Sequence, residues 1–146
     1  MNKKTLSSVI KPQSTVSHNT SHGNTPGAKT TLEVGEQKEL QAENYLSMRG
    51  LIPIARNYRC KLGEIDLIMA DGDYLVFVEV RFRRSAAFGY ASETINHCKQ
   101  TKLLRTAQRY LQQHNITDNQ PCRFDTLCIQ GLGSQQTFDW VKNAFA

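Results

Sequence analysis

No stretch of the 146-residue chain approaches the roughly 18 consecutive apolar residues of a membrane span. A spanning helix is therefore not expected. The four cysteines, Cys60, Cys98, Cys122 and Cys128, form no C-x-x-C pair, which speaks against a zinc site. The basic N-terminus is not followed by the apolar core of roughly 7–15 residues that a secretory signal needs. The cysteines then read as reduced thiols of a cytoplasmic protein, mostly in its core. Residues 1–30 are rich in Ser, Thr, Asn and Lys and have almost no large apolar side chains. Such a stretch cannot offset its own ordering entropy and is expected to be a disordered polar tail. His18 and His22 lie four apart in it, a spacing that suits a metal only on a helix. There is no internal repeat, and residues 31–146 are long enough for one domain with a real core.

What is present centres on residues 63–81, GEIDLIMADGDYLVFVEVR. Two apolar runs flank Asp71-Gly72, a strong hairpin signal. With that dipeptide as the loop, Ala70 faces Asp73, Asp66 faces Phe77 and Glu64 faces Glu79. Side chains alternate along a strand. One face then holds Ile65, Leu67, Met69, Tyr74, Val76, Val78, Val80 and Phe82. The other holds Glu64, Asp66, Ile68, Ala70, Asp73, Leu75, Phe77, Glu79 and Arg81. An odd loop would scramble both faces. Glu64, Asp66 and Glu79 crowd one end, although like charges opposite one another destabilise a sheet. Either this end is solvated, with Arg81 neutralising a carboxylate, or a hard cation such as Mg²⁺ sits there. Asp66 and Glu79, as diagonal neighbours roughly 7–8 Å apart, can converge on one ion.

The flanking segments supply further charged groups. Residues 33–49 read as a helix, with Gly35 near its start and Gly50 at its stop. Glu39, Ala42 and Leu46 share one side of it, so Glu39 can point to the sheet while Glu36 and Glu43 face water. Residues 51–59 read as a strand, and Pro53 suggests that it lies at an edge. Arg83 and Arg84 open a basic loop in which Phe82, Phe88 and Tyr90 are possible stacking surfaces. Ser92 can cap a helix over 93–114. Lys99, Lys102, Arg105 and Arg109 form a basic stripe on it without an acidic partner, either an ordinary solvated face or a phosphate-tracking one. Residues 123–130 read as a strand, Gly131 and Gly133 as a turn, and 137–145 as a short strand or a last helical turn. The formal charge of +5 is compatible with nucleic acid without establishing it.

The order αβββαβ predicts an α/β fold, a mixed sheet flanked by helices. With Asp66 in the second strand and Glu79-Val80-Arg81 in the third, it resembles the restriction-endonuclease-like PD-(D/E)XK superfamily. The combination of Gly35, Glu39 and Ala42 with Arg56-Asn57, GEIDLI at 63–68, VFVEVR at 76–81, Lys99 and Arg123-Phe124-Asp125 resembles the YraN-like family of bacterial proteins. The resemblance runs from about residue 33 to the C-terminus.

The superfamily implies Mg²⁺- or Mn²⁺-dependent hydrolysis of DNA phosphodiesters, with a fold like that of Holliday-junction resolvases. By that resemblance Asp66 and Glu79 are metal ligands, joined by Glu64, and Glu39 completes or orients the metal shell. Arg81 stands where the superfamily motif has lysine. Arginine stays protonated, so it suits a phosphate contact and not a general base. The catalytic set is then Glu39, Asp66, Glu79 and Arg81, and Arg83, Arg84, Lys99, Lys102, Arg105 and Arg109 contact nucleic acid. The alternative is a non-catalytic nucleic-acid-binding or DNA-processing accessory protein with this fold. The partner expected is DNA, with no membrane, and a homodimer is an open arrangement.

Overall fold

Gly50, at φ +96, ends the first helix as its position in the sequence suggests. That helix, α1, spans Thr31–Ser47 and buries Ala42 and Leu46 completely. In the computed structural model, residues 31–84 and 95–146 are described. The expected polar tail at 1–30 and the loop residues Phe88, Tyr90 and Ser92 lie outside them.

After α1 come strands β1 (Ile52–Cys60), β2 (Gly63–Asp71) and β3 (Tyr74–Arg83), helix α2 (His97–Gln113), and strands β4 (Cys122–Gln130) and β5 (Thr137–Phe145). They form one five-stranded sheet in sequential order. The β3–β4 pair is parallel and the other three are antiparallel. The chain between β3 and β4 includes α2, since parallel neighbours need a long crossover. The αβββαβ core is present, and residues 137–145 add an edge strand and not a helical turn. β1 is the other edge, and Pro53 lies there beside a register shift, two settings in which a strand tolerates proline.

The sheet is sandwiched by the helices. On the α1 side, Ala42 and Leu46 pack on Leu67, Met69, Val76, Val78, Leu127 and Ile129. On the α2 side, Leu103, Ala107 and Tyr110 pack on Ile65, Ile68, Leu75, Phe77 and Phe124. α2 comes close to β2 at Gly63. A Cβ there would lie 2.8 Å from Thr106 Oγ1, and the residue sits at φ +155. Asn96, not Ser92, caps α2: its Oδ1 accepts the Lys99 N–H at 2.9 Å. The helix starts at His97 and not at the expected residue 93, because Asn96 supplies the orphan-donor partner three residues before Lys99.

Three further expectations are corrected. The hairpin loop is Gly72-Asp73, so Ala70 pairs with Leu75 and Ile68 with Phe77. The glycine takes the first loop position at φ +58, and Asp71 stays in the ladder, tied to Arg123 at 2.7 Å. The shift is by two residues, so the faces beside the turn survive it. Phe82 is not a free stacking surface: it packs against the α1-side core with Lys38 over its ring. The cysteines are all free, but only Cys128 is buried, and Cys98 is exposed on α2.

Candidate functional site

Besides a register shift between Pro53 and Ala55, the alternation of faces reverses around Asn57. Arg56 on β1 reaches Glu43 of α1 at 3.2 Å, while Tyr58, two residues on, packs with the α2-side core. Between them Asn57 sits in the left-handed region at φ +51, a conformation Asn tolerates better than most residues. Opposite, Leu67 belongs to the α1 side and Ile65 to the α2 side. Beyond this point Glu64 comes round to α1. A strictly alternating strand would put Ile65 with Leu67 and all the carboxylates on one face; the reversal at Asn57 separates them.

The β2–β3 ladder ends in the same region. Leu67–Val78 is its last paired position. Asp66, the next residue, turns its Oδ2 to accept the Val80 N–H at 2.7 Å. A carboxylate thus takes the backbone donor of the neighbouring strand, and the opening becomes a polar notch. Glu39 enters it from α1, on the side that its spacing with Ala42 and Leu46 implies. One carboxylate oxygen each from Glu39, Glu64 and Asp66 lies within 4.8 Å of the others. Glu79 is not in that trio. It is 7% exposed and pairs with Lys99 of α2. Asp66 is therefore the joint of the site, with the trio on its α1 side and Glu79 on its α2 side.

The electrostatics follow from that crowding. Burial, then the charge of Glu79, and less strongly that of Glu39, raise the Asp66 pKa to about 7; the Val80 N–H and Lys99 oppose the rise. Burial also raises Glu39, partly offset by a hydrogen bond from Asn57, while the Glu64 charge adds to the rise. Glu39 Oε2 is buried without a hydrogen-bond partner. Such an oxygen costs stability unless something supplies a positive counterpart. Glu64, at the rim, is held by a two-point pair with Arg59, at 2.9 and 3.2 Å.

A divalent cation fits this donor set. The oxygens are hard, three of them converge, one is unpartnered, and burial, reinforced by neighbouring carboxylates, raises the pKa values of Asp66 and Glu39. Asp66, Glu39 and Glu64 would hold it, with Glu79 reached across Asp66.

The cationic residues divide into three groups. Arg81, on β3 two residues after Glu79, pairs in register with Cys128 of β4, and its charge acts on that thiol. Arg83 ends β3 and Arg84 is exposed beyond it. Lys102, Arg105 and Arg109 are exposed along α2, as a basic stripe requires. Lys99 belongs to the same stripe, but it has an acidic partner, contrary to expectation, because the first turn of α2 brings it onto Glu79. Glu43 likewise is paired with Arg56 and does not merely face water.

Beside the notch, a cavity of about 660 Å³ lies along β1 and the end of α2, lined by residues that include Asn57, Tyr58, Arg59, Tyr110 and His114. Asn57 belongs to both cavity and notch. Sequence reasoning gave Asn57 no role and missed the carboxylate contact of Lys99. An asparagine inside an otherwise β-rich run was the available signal for the first. Nothing local signals the second, which depends on how α2 docks.

The sequence pattern of the uncharacterised protein family UPF0102 matches residues 38–129, which include the first three strands and α2 complete and α1 from Lys38 on. The chain belongs to UPF0102. It is similar to a UPF0102 protein of Saccharophagus degradans, 49% identical over 113 residues, covering 77% of this chain and 92% of that one. A UPF0102 protein of Nitrosococcus oceani is 47% identical over 116 residues, 80% and 94% of the two chains. One from Aeromonas hydrophila is 46% identical over 112 residues, 76% and 83%. In this UPF0102 chain the matched region contains Glu39, Asn57, Glu64, Asp66, Glu79, Arg81 and Lys99. Among the described residues no helix is long and apolar enough to cross a membrane.

Proposed function

We propose that this UPF0102 protein is a metal-dependent nuclease that hydrolyses phosphodiester bonds in DNA, with Mg²⁺ or Mn²⁺ as its ion. The observation that carries this reading is the state of Asp66. It sits where two strands part, where burial and then the charges of Glu79 and Glu39 raise its pKa to about 7, next to a buried Glu39 oxygen with no partner. A purely structural carboxylate is normally satisfied by donors; this one has a single backbone donor and stands among other carboxylates.

When bound, the divalent ion supplies an acidified water as nucleophile and neutralises charge on the phosphoryl oxygens. The chain's own residues do the rest. Asn57 orients Glu39 by its side-chain hydrogen bond. Arg59 fixes Glu64 at the rim. The Val80 N–H holds one Asp66 oxygen and so sets the direction of the other. Arg81 is the permanent charge closest in sequence to Glu79 and suits the developing negative charge of the phosphate. Lys102, Arg105 and Arg109 give the strand a basic track on α2. The cavity at Asn57, with Tyr58 and His114 in its wall, has room for an unpaired base. That feature favours flapped or branched DNA over a plain duplex.

The test is incubation of the purified protein with duplex, flap, junction and single-stranded DNA and the matching RNAs, in Mg²⁺, in Mn²⁺ and in EDTA. Metal-dependent cleavage of a flap or junction is the expected result. Binding without cleavage in every metal would replace the nuclease by a nucleic-acid-binding accessory protein.

A further inference from the structure

Lys99 stands in the first turn of α2, where Asn96 caps its backbone N–H. Its ammonium meets Glu79 Oε1, and the two partners are unequally placed. The Glu79 side chain is 8% exposed and that of Lys99 is 47% exposed. One end of the pair is fixed in the sheet; the other is a flexible stem rooted at the surface. The close approach of Gly63 and Thr106 sets how near this turn comes to the notch. Lys102, one turn along, is exposed on the same helix. The head of Lys99 therefore lies between a buried carboxylate and a basic track open to solvent.

A buried Glu79 beside Asp66 needs a positive counterpart, since an uncompensated charge there is costly. Lys99 is that counterpart in the protein alone. A divalent cation shared by Asp66 and its neighbours would provide the same compensation with twice the charge and would repel the ammonium at contact distance. Lysine is a compact point charge on four methylenes, so its head can relocate without moving α2.

We propose that Lys99 is a resident cation of the site. It holds Glu79 while no divalent ion is bound, and it turns to a phosphodiester oxygen of the DNA strand when one is. This rests on the metal-dependent reading above and adds to it a coupling: metal binding frees a phosphate contact. Lys99 thus differs from Lys102, whose ammonium is available with or without metal.

The experiment measures the affinity of the full chain for a fluorescent flap DNA by anisotropy, once in EDTA and once in Ca²⁺, together with calorimetric titration of Mn²⁺ without DNA. Lys99→Met is expected to weaken DNA binding roughly tenfold in Ca²⁺ and to stay within about twofold of wild type in EDTA. The same variant should bind Mn²⁺ several-fold more tightly, because the competing ammonium is gone. Lys102→Ala should weaken DNA binding equally in both conditions. Lys99→Gln keeps a donor for Glu79 without the charge. It should reproduce the metal-dependent loss with a melting temperature near wild type, which covers the case in which Lys99→Met does not fold. Equal weakening in Ca²⁺ and EDTA would make Lys99 an ordinary phosphate contact and overturn the proposal. No weakening in either would make it a structural partner of Glu79 and also overturn it. A wild type that binds no Mn²⁺ and whose DNA affinity ignores Ca²⁺ would remove the metal reading itself, and Lys99 with it.

Discussion

Asp66 and Asp125 are both aspartates on inner strands of the sheet, and they occupy opposite kinds of surroundings. Asp125 is fully buried and fully provided for. Arg123 donates to both of its oxygens, at 3.0 and 3.2 Å from Nε, Trp140 donates from Nε1 at 3.0 Å, and the Asn143 N–H adds a bond at 3.0 Å. Arg123 reaches on to Asp71. The network ties β2, β4 and β5 together. Asp66 has one backbone N–H and is pressed on by Glu39 and Glu79. The lesson is about donors: a carboxylate surrounded by them builds the fold, and one with a single donor among other carboxylates is a candidate for function.

Breaking the provided-for side should have the largest effect on stability. Asp125→Ala leaves the Arg123 guanidinium without its main partner in a nearly closed site and should cost about 3–5 kcal/mol, read as a lowered urea midpoint. Activity per folded molecule should survive it. Asp66→Asn should act the other way. The folded protein holds the Asp66 proton to about pH 7, well above the 3.8 of an ordinary aspartate. The unfolded chain releases that proton first, so stability falls as pH rises from about 4 to 7 and levels off above. The Asn variant should lose this slope and be more stable than wild type at pH 8 without metal, by an amount on the order of 1–3 kcal/mol. Its metal-dependent cleavage should vanish. A wild type whose melting temperature is flat across that pH range would show that Asp66 is better solvated than its neighbours suggest. For the same reason, Mn²⁺ affinity should drop below pH 7, where the ion must displace a proton. The smallest change tests the support of the site. Asn57→Gly keeps the left-handed backbone and removes the amide from Glu39. It should shift stability by no more than about 1 kcal/mol, while Mn²⁺ affinity falls roughly tenfold. Equal affinity would free Glu39 from any need of orientation.

Much of the framework was legible because it depends on local pattern. Apolar spacing marked α1 and turned Glu39 inward, Pro53 marked an edge, and the even hairpin loop preserved the faces near the turn. What escaped depends on single backbone angles or on docking. Gly72 takes the first loop position and not the second, which moves the register by two and sets Asp66 in line with Glu79 where the ladder opens. Asn57 reverses the alternation, so Glu64 and Glu79 end on opposite sides of Asp66. No period in the sequence encodes a φ of +51 at one residue. Asn96 could be weighed against Ser92 as a cap only once the start of α2 was known. In the sequence Lys99 is one of four equivalent cations, and only its contact with Glu79 distinguishes it.

The parallel pairing of β3 with β4 also orders events in time. β1, β2 and β3 are joined by short turns and can pair as a meander, whereas the register of Leu75 with Cys122 closes a long stretch of chain that includes α2. Closing such a stretch has an entropic cost before any contact rewards it, so local hairpins tend to form ahead of parallel pairs. Glu64, Asp66 and Glu79 all lie in the early meander, and Lys99 lies in the segment that docks late. During refolding the carboxylates should therefore meet before their ammonium arrives, leaving an interval in which a divalent ion in the buffer has no resident competitor.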